Sequence, residues 1–390
     1  MRRFLLVCIT LILITTPIND VYAQALTSAS TDAAGYYYEL PLCLPGMPAD
    51  GTCLLYGPAQ VVAEMKASGF SHPRRALPAA TPPSELGELP VAIAKINLPE
   101  TDPAPIYATF EDAVAGANPT SYIEPGALRY VSYVNRQDHG GKPYVQLSTG
   151  EWMRAAPIAY TKYQGVEFFE NPRNDFGWIV GYEDTESRRE PSYTAPGSGQ
   201  SYQRGDLIQV YETVEADGLT WYKIGPDEWV SDYMANVVSV NPTRPEGVNA
   251  DRWIEINLEQ QVILAYEDGR LVFAASVATG RDPFFTQPGV FQIYEKKELE
   301  TMQGAFEADR ADFYYLQDVP WTMYYDQKRA IHATYWPFGY GYPQSHGCVN
   351  LSPGDAQWLF QWADEGDYVW VHDTSGRTPT DPNYYGPGAP

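Results

Sequence analysis

The sequence predicts a mainly β protein, and three observations carry that prediction. Aromatic and turn-forming residues are abundant together (30 Tyr, 10 Trp, 33 Pro, 32 Gly), a mix that favours short strands and tight turns over long helices. Two stretches before residue 243 repeat one strand-and-turn pattern. From Trp253 onward, short apolar runs follow one another with only one well-capped helix among them. At 390 residues, 44% hydrophobic and 19% charged, the chain is globular and long enough for two to four domains. A formal net charge of −23 argues against nucleic acid as a partner, because a phosphate backbone would be repelled.

In chain order, Arg2 and Arg3 precede an apolar run from Phe4 to Ile14, with small residues near Ala23 and Ala25. This is the pattern of a signal peptide over residues 1–23, cleaved after Ala23, with Ala25 as the second choice. The run is too short to span a membrane comfortably. Cys8 lies inside it and not at its end, which argues against a lipid anchor. The expectation is an exported protein, extracytoplasmic in the cell wall or periplasm, with no membrane anchor after cleavage.

Residues 24–100 form a region of unassigned fold. Export permits disulfides. Cys43 and Cys53 flank Pro-Gly and Asp-Gly turns, and a bond between them would stabilise by roughly 3 kcal/mol in the chain-entropy model. Ala59 to Ser68 reads as a short helix, and Pro73 to Pro90 as a linker.

The repeated pattern comes next. Gly126-Ala127-Leu128 leads through Tyr130 and a Gly-Gly turn to Glu151-Trp152, and Gly205-Asp206-Leu207 leads through an Ala-Asp-Gly turn to Glu228-Trp229. Each unit reads as short alternating strands closing a small barrel. The units are expected at 101–160 and 190–242, joined by a packed connecting segment at 161–189. They resemble bacterial SH3-type repeats, which implies a candidate role in cell-wall binding. His139, beside Gly140-Gly141, reads as a solvated turn residue, and His72 as surface. Asn241 to Asn249 is the linker into the last domain, expected at 250–373.

That domain opens with strands at Trp253–Leu258 and Val262–Tyr266, then turns through Glu267-Asp268-Gly269-Arg270 into Leu271–Val277. Further strands are expected at Val290–Tyr294, Val319–Tyr325 and Ala330–His332, the last placing His332 at a strand end. Ser352 as N-cap, Pro353 at N1 and Asp355 three residues after the cap announce the helix, with Gly366 near its stop. Tyr368–Val371 closes as a strand, leaving His372 exposed at its end. Residues 374–390, rich in Pro and Gly, read as a disordered tail.

The chemistry concentrates between His332 and Asn350, which holds two of the five histidines and Cys348, the only cysteine after Cys53. A thiol is a nucleophile as thiolate, and an unperturbed pKa of roughly 8.5 leaves little thiolate at neutral pH. A nearby imidazole supplies the base, so Cys with His is the minimum kit for acyl transfer. Gly347 lets the backbone approach closely, with main-chain N–H groups free to face an oxyanion. Spacing alone leaves three alternatives open: a catalyst, a zinc site of two His and one Cys, or a small buried thiol beside coincidental histidines.

Ser345-His346-Gly347-Cys348-Val349-Asn350 with an upstream His332 resembles the signature of the L,D-transpeptidases, the YkuD-type catalytic domains of bacterial cell-wall enzymes. The resemblance runs from Asp251 to Asp373 and includes the opening Trp-Ile strand, Gln261, Thr279-Gly280, Gly289, Val319-Pro320-Trp321 and Ile331-His332. The family commonly reads Thr-Pro-x-Gly where this chain has Thr286-Gln287-Pro288-Gly289. Residues 333–344 are fewer than in some members, and some relatives carry Arg at the position of Asn350.

The resemblance implies a YkuD-like β-sandwich with one notable helix, preceded by two SH3-like barrels. It implies Cys348 as nucleophile, His332 as base and then acid, and His346 as a group that holds or polarises the site. Backbone N–H groups of Gly347 and Cys348 would serve the oxyanion. Ala333 would orient the His332 ring through its carbonyl, and Ser345 and Asn350 would shape the loop. Tyr335, Trp336, Tyr340 and Tyr342 are candidates to wall a substrate channel. Donor and acceptor would be peptidoglycan stem peptides, with no cofactor and no metal. The alternatives are an L,D-carboxypeptidase or endopeptidase on the same stems, and a non-catalytic wall-binding protein.

Overall fold

The computed structural model describes residues 77–386 apart from Ser84, Ala308, Ala311, Pro337 and Phe338. The expected signal peptide, the Cys43–Cys53 pair and the Ala59–Ser68 helix lie outside the described residues. Among the described residues strand accounts for 45% and helix for 6%, so this part of the chain is mainly β.

Two seven-stranded sheets share the central core. In the first, the spatial order is Ala79–Ala80, Val166–Phe168, Arg270–Ser276, Val262–Glu267, Arg252–Asn257, Tyr368–His372 and Gly289–Gln292. Arg270–Ser276 returns on Val262–Glu267 through a two-residue turn, Asp268 (φ 52°) and Gly269 (φ 72°), whose left-handed backbone matches the twist of a hairpin. Tyr368–His372 then lies parallel to Arg252–Asn257, in register Ile254 with Val369.

The second sheet runs Val349–Leu351, Arg329–Ala333, Tyr314–Asp326, Leu128–Tyr133, Ala92–Lys95 and Ala156–Pro157, with Glu295–Gly304 pairing on Tyr314–Asp326. Ile254, Ile256, Ile263 and Val371 from one sheet meet Met323, Ile331, Val349 and Leu351 from the other, with Ala356 and Leu359 of the helix in the same cluster. This is the sandwich core.

The helix, Pro353–Trp362, starts as its sequence dictates. Ser352 has extended backbone and its Oγ accepts from the Asp355 N–H, while Pro353 occupies the first turn where no N–H is needed. Asp355 is fully buried and accepts from the N–H groups of Gln164 (2.8 Å) and Gly165 (3.1 Å), tying the preceding segment to the helix start. A second helix, Phe110–Ala115, was not expected. Thr109 caps it and Gly116 ends it in the left-handed region (φ 65°), too short a run for periodicity to reveal.

The expected domain borders do not coincide with sheet borders. Leu128–Tyr133, read as the start of the first barrel, pairs in parallel with Tyr314–Leu316 of the long strand. Val166–Phe168, read as connecting segment, pairs with Phe273–Ala274. The cause is edge satisfaction: Tyr314–Asp326 and Arg270–Ser276 each offer an edge of unpaired backbone groups that a strand from upstream can cover. The rest of 101–160 forms a five-stranded antiparallel sheet whose order is Pro119–Ile123, Ala104–Tyr107, Trp152–Met153, Lys142–Gln146 and Asn135–His139. His139 is exposed at its hairpin end.

Residues 176–238 fold into a three-stranded sheet (Leu207–Gln209, Phe176–Ile179, Ala235–Val238) and a five-stranded sheet over Thr185–Ser231. Ile179, Ile208, Ile224, Val230 and Val237 form their shared core. Phe176 and Trp178 turn outward from this core onto Trp253, Leu264 and Tyr266 of the first large sheet. That sheet is therefore buried on both faces, which explains its almost unbroken apolar runs.

His372 is not exposed. Its ring stacks on Trp370 (4.0 Å between centroids), and Nε2 lies 2.9 Å from Glu255 Oε1 on the parallel neighbour strand. Glu255 is buried and needs that partner. The expected disordered tail is ordered to Gly386: Asp373 accepts the N–H groups of Ser375 and Thr378, and Pro382–Tyr384 forms a short 3-10 turn.

Candidate active site

His332 and Asn350 face each other across the parallel pair Arg329–Ala333 and Val349–Leu351, which sets the thiol loop beside the histidine strand. Backbone bonds sew that loop to Ala278–Arg281. Asn350 and Ala278 exchange both N–H···O bonds (3.0 and 3.1 Å), Ser345 N–H reaches the Thr279 carbonyl at 2.9 Å, and Arg281 N–H reaches the Ser345 carbonyl at 3.0 Å. The Thr279-Gly280 motif is thus the bed on which the loop lies.

Within the loop, Ser345 Oγ donates to the Cys348 carbonyl at 2.6 Å and accepts the Gly347 N–H at 3.1 Å. Thr286 Oγ1 accepts the Gly280 N–H and donates to the Gly347 carbonyl, each at 2.9 Å. Gly347 has φ 118°, a backbone that side chains rarely adopt. Of the two N–H groups expected to serve an oxyanion, that of Gly347 is hydrogen-bonded to Ser345 Oγ in this structure.

Burial governs the electrostatics. His332 is 3% exposed, and its pKa is lowered to about 4 by burial, which the hydrogen bond to Ala333 only partly offsets. Its Nδ1 lies 2.9 Å from the Ala333 carbonyl, which can only accept, so Nδ1 carries the proton and Nε2 holds a free lone pair. Burial also raises the Cys348 thiol, against the opposing pull of a backbone hydrogen bond at Ala330 and the Arg329 charge. At rest both groups are neutral, a state in which an imidazole acts as base only as the thiol reacts.

Both groups line a cavity of about 290 Å³ with Trp336, Tyr314, His346 and Asn350. Ala127 and Leu128, at the start of the strand added upstream, form part of the same wall. A second cavity of about 420 Å³, bounded by Tyr324, Lys297 and Glu300, meets the first at Cys348, Met302 and Tyr314. The thiol thus stands at a junction with two approaches.

His346 is held by ring stacking. Phe306 lies 4.2 Å from it at 9° and Phe284 at 4.7 Å. Burial, then the Arg281 charge, lower its pKa, with Asp312 opposing. Of the four expected channel aromatics, only Trp336 lines this cavity. Tyr335 is fully buried with its hydroxyl on the Gln317 carbonyl (2.8 Å), and Tyr340 is buried against Thr334 Oγ1 (2.7 Å). Tyr342 stacks on Tyr182 at 5.2 Å in a different cleft. Most of the aromatics of this loop are taken up by packing against other segments, since each ring buried is worth several kcal/mol.

Thr286, Arg329, Tyr314 and Tyr324 were missed as site residues. Thr286 stood in a motif already noted, whereas the tyrosines lie on a strand whose pairing no local signal reveals. Among the described residues, no group of three or more His, Cys, Asp or Glu is arranged to hold a metal ion.

Comparison with known proteins adds the family. Residues 251–371 match the family model of the YkuD L,D-transpeptidase catalytic domain. L,D-transpeptidase 2 of Mycobacterium tuberculosis is 26% identical over 124 residues, which is 30% of this chain and 30% of that protein. The chain thus matches less than a third of the length of that curated relative. Among solved structures, an L,D-transpeptidase from Stackebrandtia nassauensis is 26% identical (34% of this chain, 59% of that one, TM-score 0.27). The catalytic domain of the Enterococcus faecium L,D-transpeptidase is 29% identical (31% of this chain, 97% of that one, TM-score 0.28). With the sandwich and the Ser345–Asn350 loop in place, residues 251–371 are a YkuD-type L,D-transpeptidase catalytic domain.

Proposed function

We propose that the protein is an exported peptidoglycan L,D-transpeptidase that forms 3→3 cross-links between stem peptides. The observation that carries this is the shared cavity of Cys348 and His332, with the ring's Nδ1 held by the Ala333 carbonyl and Nε2 left as a base. Cys348 Sγ attacks the carbonyl of the third residue of a tetrapeptide stem, and His332 takes the thiol proton. The C–N bond to the terminal D-Ala breaks, and His332 delivers that proton to the leaving amine. The side-chain amine of a second stem then attacks the thioester, forming the new C–N bond as the C–S bond breaks, and the proton returns to sulfur. Two cavities meeting at the thiol support a reaction with a donor and an acceptor.

The sequence patterns of residues 1–23 support export, and the strand-rich segments 101–160 and 190–242 are proposed as SH3-like wall-binding modules. The exposed Tyr122 and Tyr233 on these segments are consistent with that role. The decisive experiment is mass spectrometry of muropeptides after incubation of tetrapeptide stems with the mature protein and a Cys348→Ala control. A dimer linked 3→3 that depends on Cys348 is the expected result. Tripeptide without dimer moves the assignment to an L,D-carboxypeptidase, and no Cys348-dependent change overturns the enzyme.

A further inference from the structure

Behind the thiol loop lies a buried ion pair. Asp326 and Arg329 oppose each other at the end of the hairpin joining the long strand to the His332 strand, 2.8 Å apart, with side chains 7% and 5% exposed. The turn between them carries Lys328, whose carbonyl lies 4.0 Å from Cys348 Sγ. Arg329 packs directly under the loop: a Cβ added to Gly347 would sit 3.1 Å from Arg329 Nε.

The C-terminal segment closes over the same guanidinium. Arg329 Nη2 donates to the Gly386 carbonyl at 3.0 Å, and the Tyr385 ring lies 5.2 Å from the guanidinium carbon. Tyr385 is itself held by its hydroxyl on the Pro379 carbonyl at 2.6 Å. Arg329 Nε is buried without a hydrogen-bond partner. An unmatched guanidinium N–H in the interior is costly, so its place against Gly347 calls for a function.

We propose that Arg329 is a positioning residue for the Cys348 nucleophile: held by Asp326 and by the C-terminal segment at Tyr385–Gly386, it braces the Gly347 backbone and keeps a positive charge behind the thiol. The inference rests on Cys348 being the nucleophile. Asp326 tempers the charge, and the C-terminal segment keeps the guanidinium from swinging into solvent. Other titratable groups face the thiol as well: Tyr314, Tyr324 and Tyr325 from the long strand, and the two histidines of the cavity. Tyr294, Glu295, Lys297, Glu300 and Lys328 line the second cavity, and Arg281 and Asp312 the first. All of these remain in the variants below, so differences between variants report the Arg329 charge.

The test is the pH dependence of iodoacetamide alkylation of Cys348 in the full-length protein, read from the Cys348 peptide by mass spectrometry. The variants are Arg329→Met, Asp326→Asn and Tyr385→Ala, each checked for folding by thermal unfolding. In Arg329→Met the midpoint of the profile moves to higher pH, and a midpoint one pH unit higher slows alkylation at neutral pH about ten-fold. In Asp326→Asn it moves to lower pH, because the countercharge is gone. In Tyr385→Ala it moves in the same direction as Arg329→Met but less far. Opposite movements for the two partners of one ion pair are not produced by mere loosening of the hairpin. Unchanged midpoints, or movements of the same sign for Arg329→Met and Asp326→Asn, overturn the proposal. Should Arg329→Met not fold, the opposite movements of Tyr385→Ala and Asp326→Asn decide it. A wild-type protein that forms no cross-link would defeat the functional reading, while the alkylation profiles would still judge Arg329.

Discussion

Thr286 and Gly347, 61 residues apart in sequence, are joined by a 2.9 Å hydrogen bond from a buried hydroxyl to the carbonyl that precedes Cys348. The same hydroxyl accepts the Gly280 N–H, so one side chain fixes the thiol loop and its bed together. Thr286→Val keeps the shape and removes both bonds. The expected cost is about 1–3 kcal/mol of stability. Cross-linking should fall further than the lost folded fraction explains, with Thr286→Ser restoring it. Chemical denaturation alongside product formation checks this.

Gly347 is constrained twice, by φ 118° and by the Arg329 side chain, which stands 3.1 Å from where a Cβ would be. Gly347→Ala should displace the loop and abolish Cys348 acylation. The sandwich should persist, because the core strands do not depend on that turn. Circular dichroism that matches wild type, together with no acyl-enzyme mass, is the expected pair of results.

His332 makes stability depend on pH. Its folded pKa, about 4, lies below the ordinary histidine value of 6.5, so between these limits the unfolded chain binds the proton and the folded chain does not. Its contribution is complete above about pH 6.5 and is lost as pH falls toward 4, amounting to about 3 kcal/mol. His332→Phe should therefore lose less stability than wild type between pH 7 and pH 4. Urea unfolding at both pH values measures the difference, and equal losses would refute the assignment.

Tyr340 and Tyr342 should separate cleanly. Tyr340→Phe removes a buried hydroxyl bonded to Thr334 and should cost about 1 kcal/mol of stability. Tyr342→Ala alters a ring in another cleft and should leave Cys348 acylation within about two-fold of wild type. Trp336→Ala, at the cavity itself, should raise the KM for stem peptide.

Much of the fold was legible because its signals are local. The Asp268-Gly269 hairpin and the Ser352-Pro353 helix start follow from residues within four positions of each other. Borders were not legible, because strand edges are satisfied by whichever segment reaches them. Leu128–Tyr133 reads the same in sequence whether it closes its own barrel or joins Tyr314–Leu316. The disposition of the aromatics was hidden likewise: nothing in Tyr335-Trp336 tells which ring faces the core and which the cavity.

By itself the sequence determined the mainly β character and singled out Cys348, His332 and His346 as the candidate site residues, since both readings rest on residue type and short-range pattern. Only the tertiary structure decided what surrounds them: the tautomer set by Ala333, the hydrogen bond from the Gly347 N–H to Ser345, and the placement of Thr286 and Arg329 behind the loop. The physical reason is that burial and hydrogen bonding join residues far apart in the chain. Those contacts set protonation and backbone direction, and no local spacing encodes them.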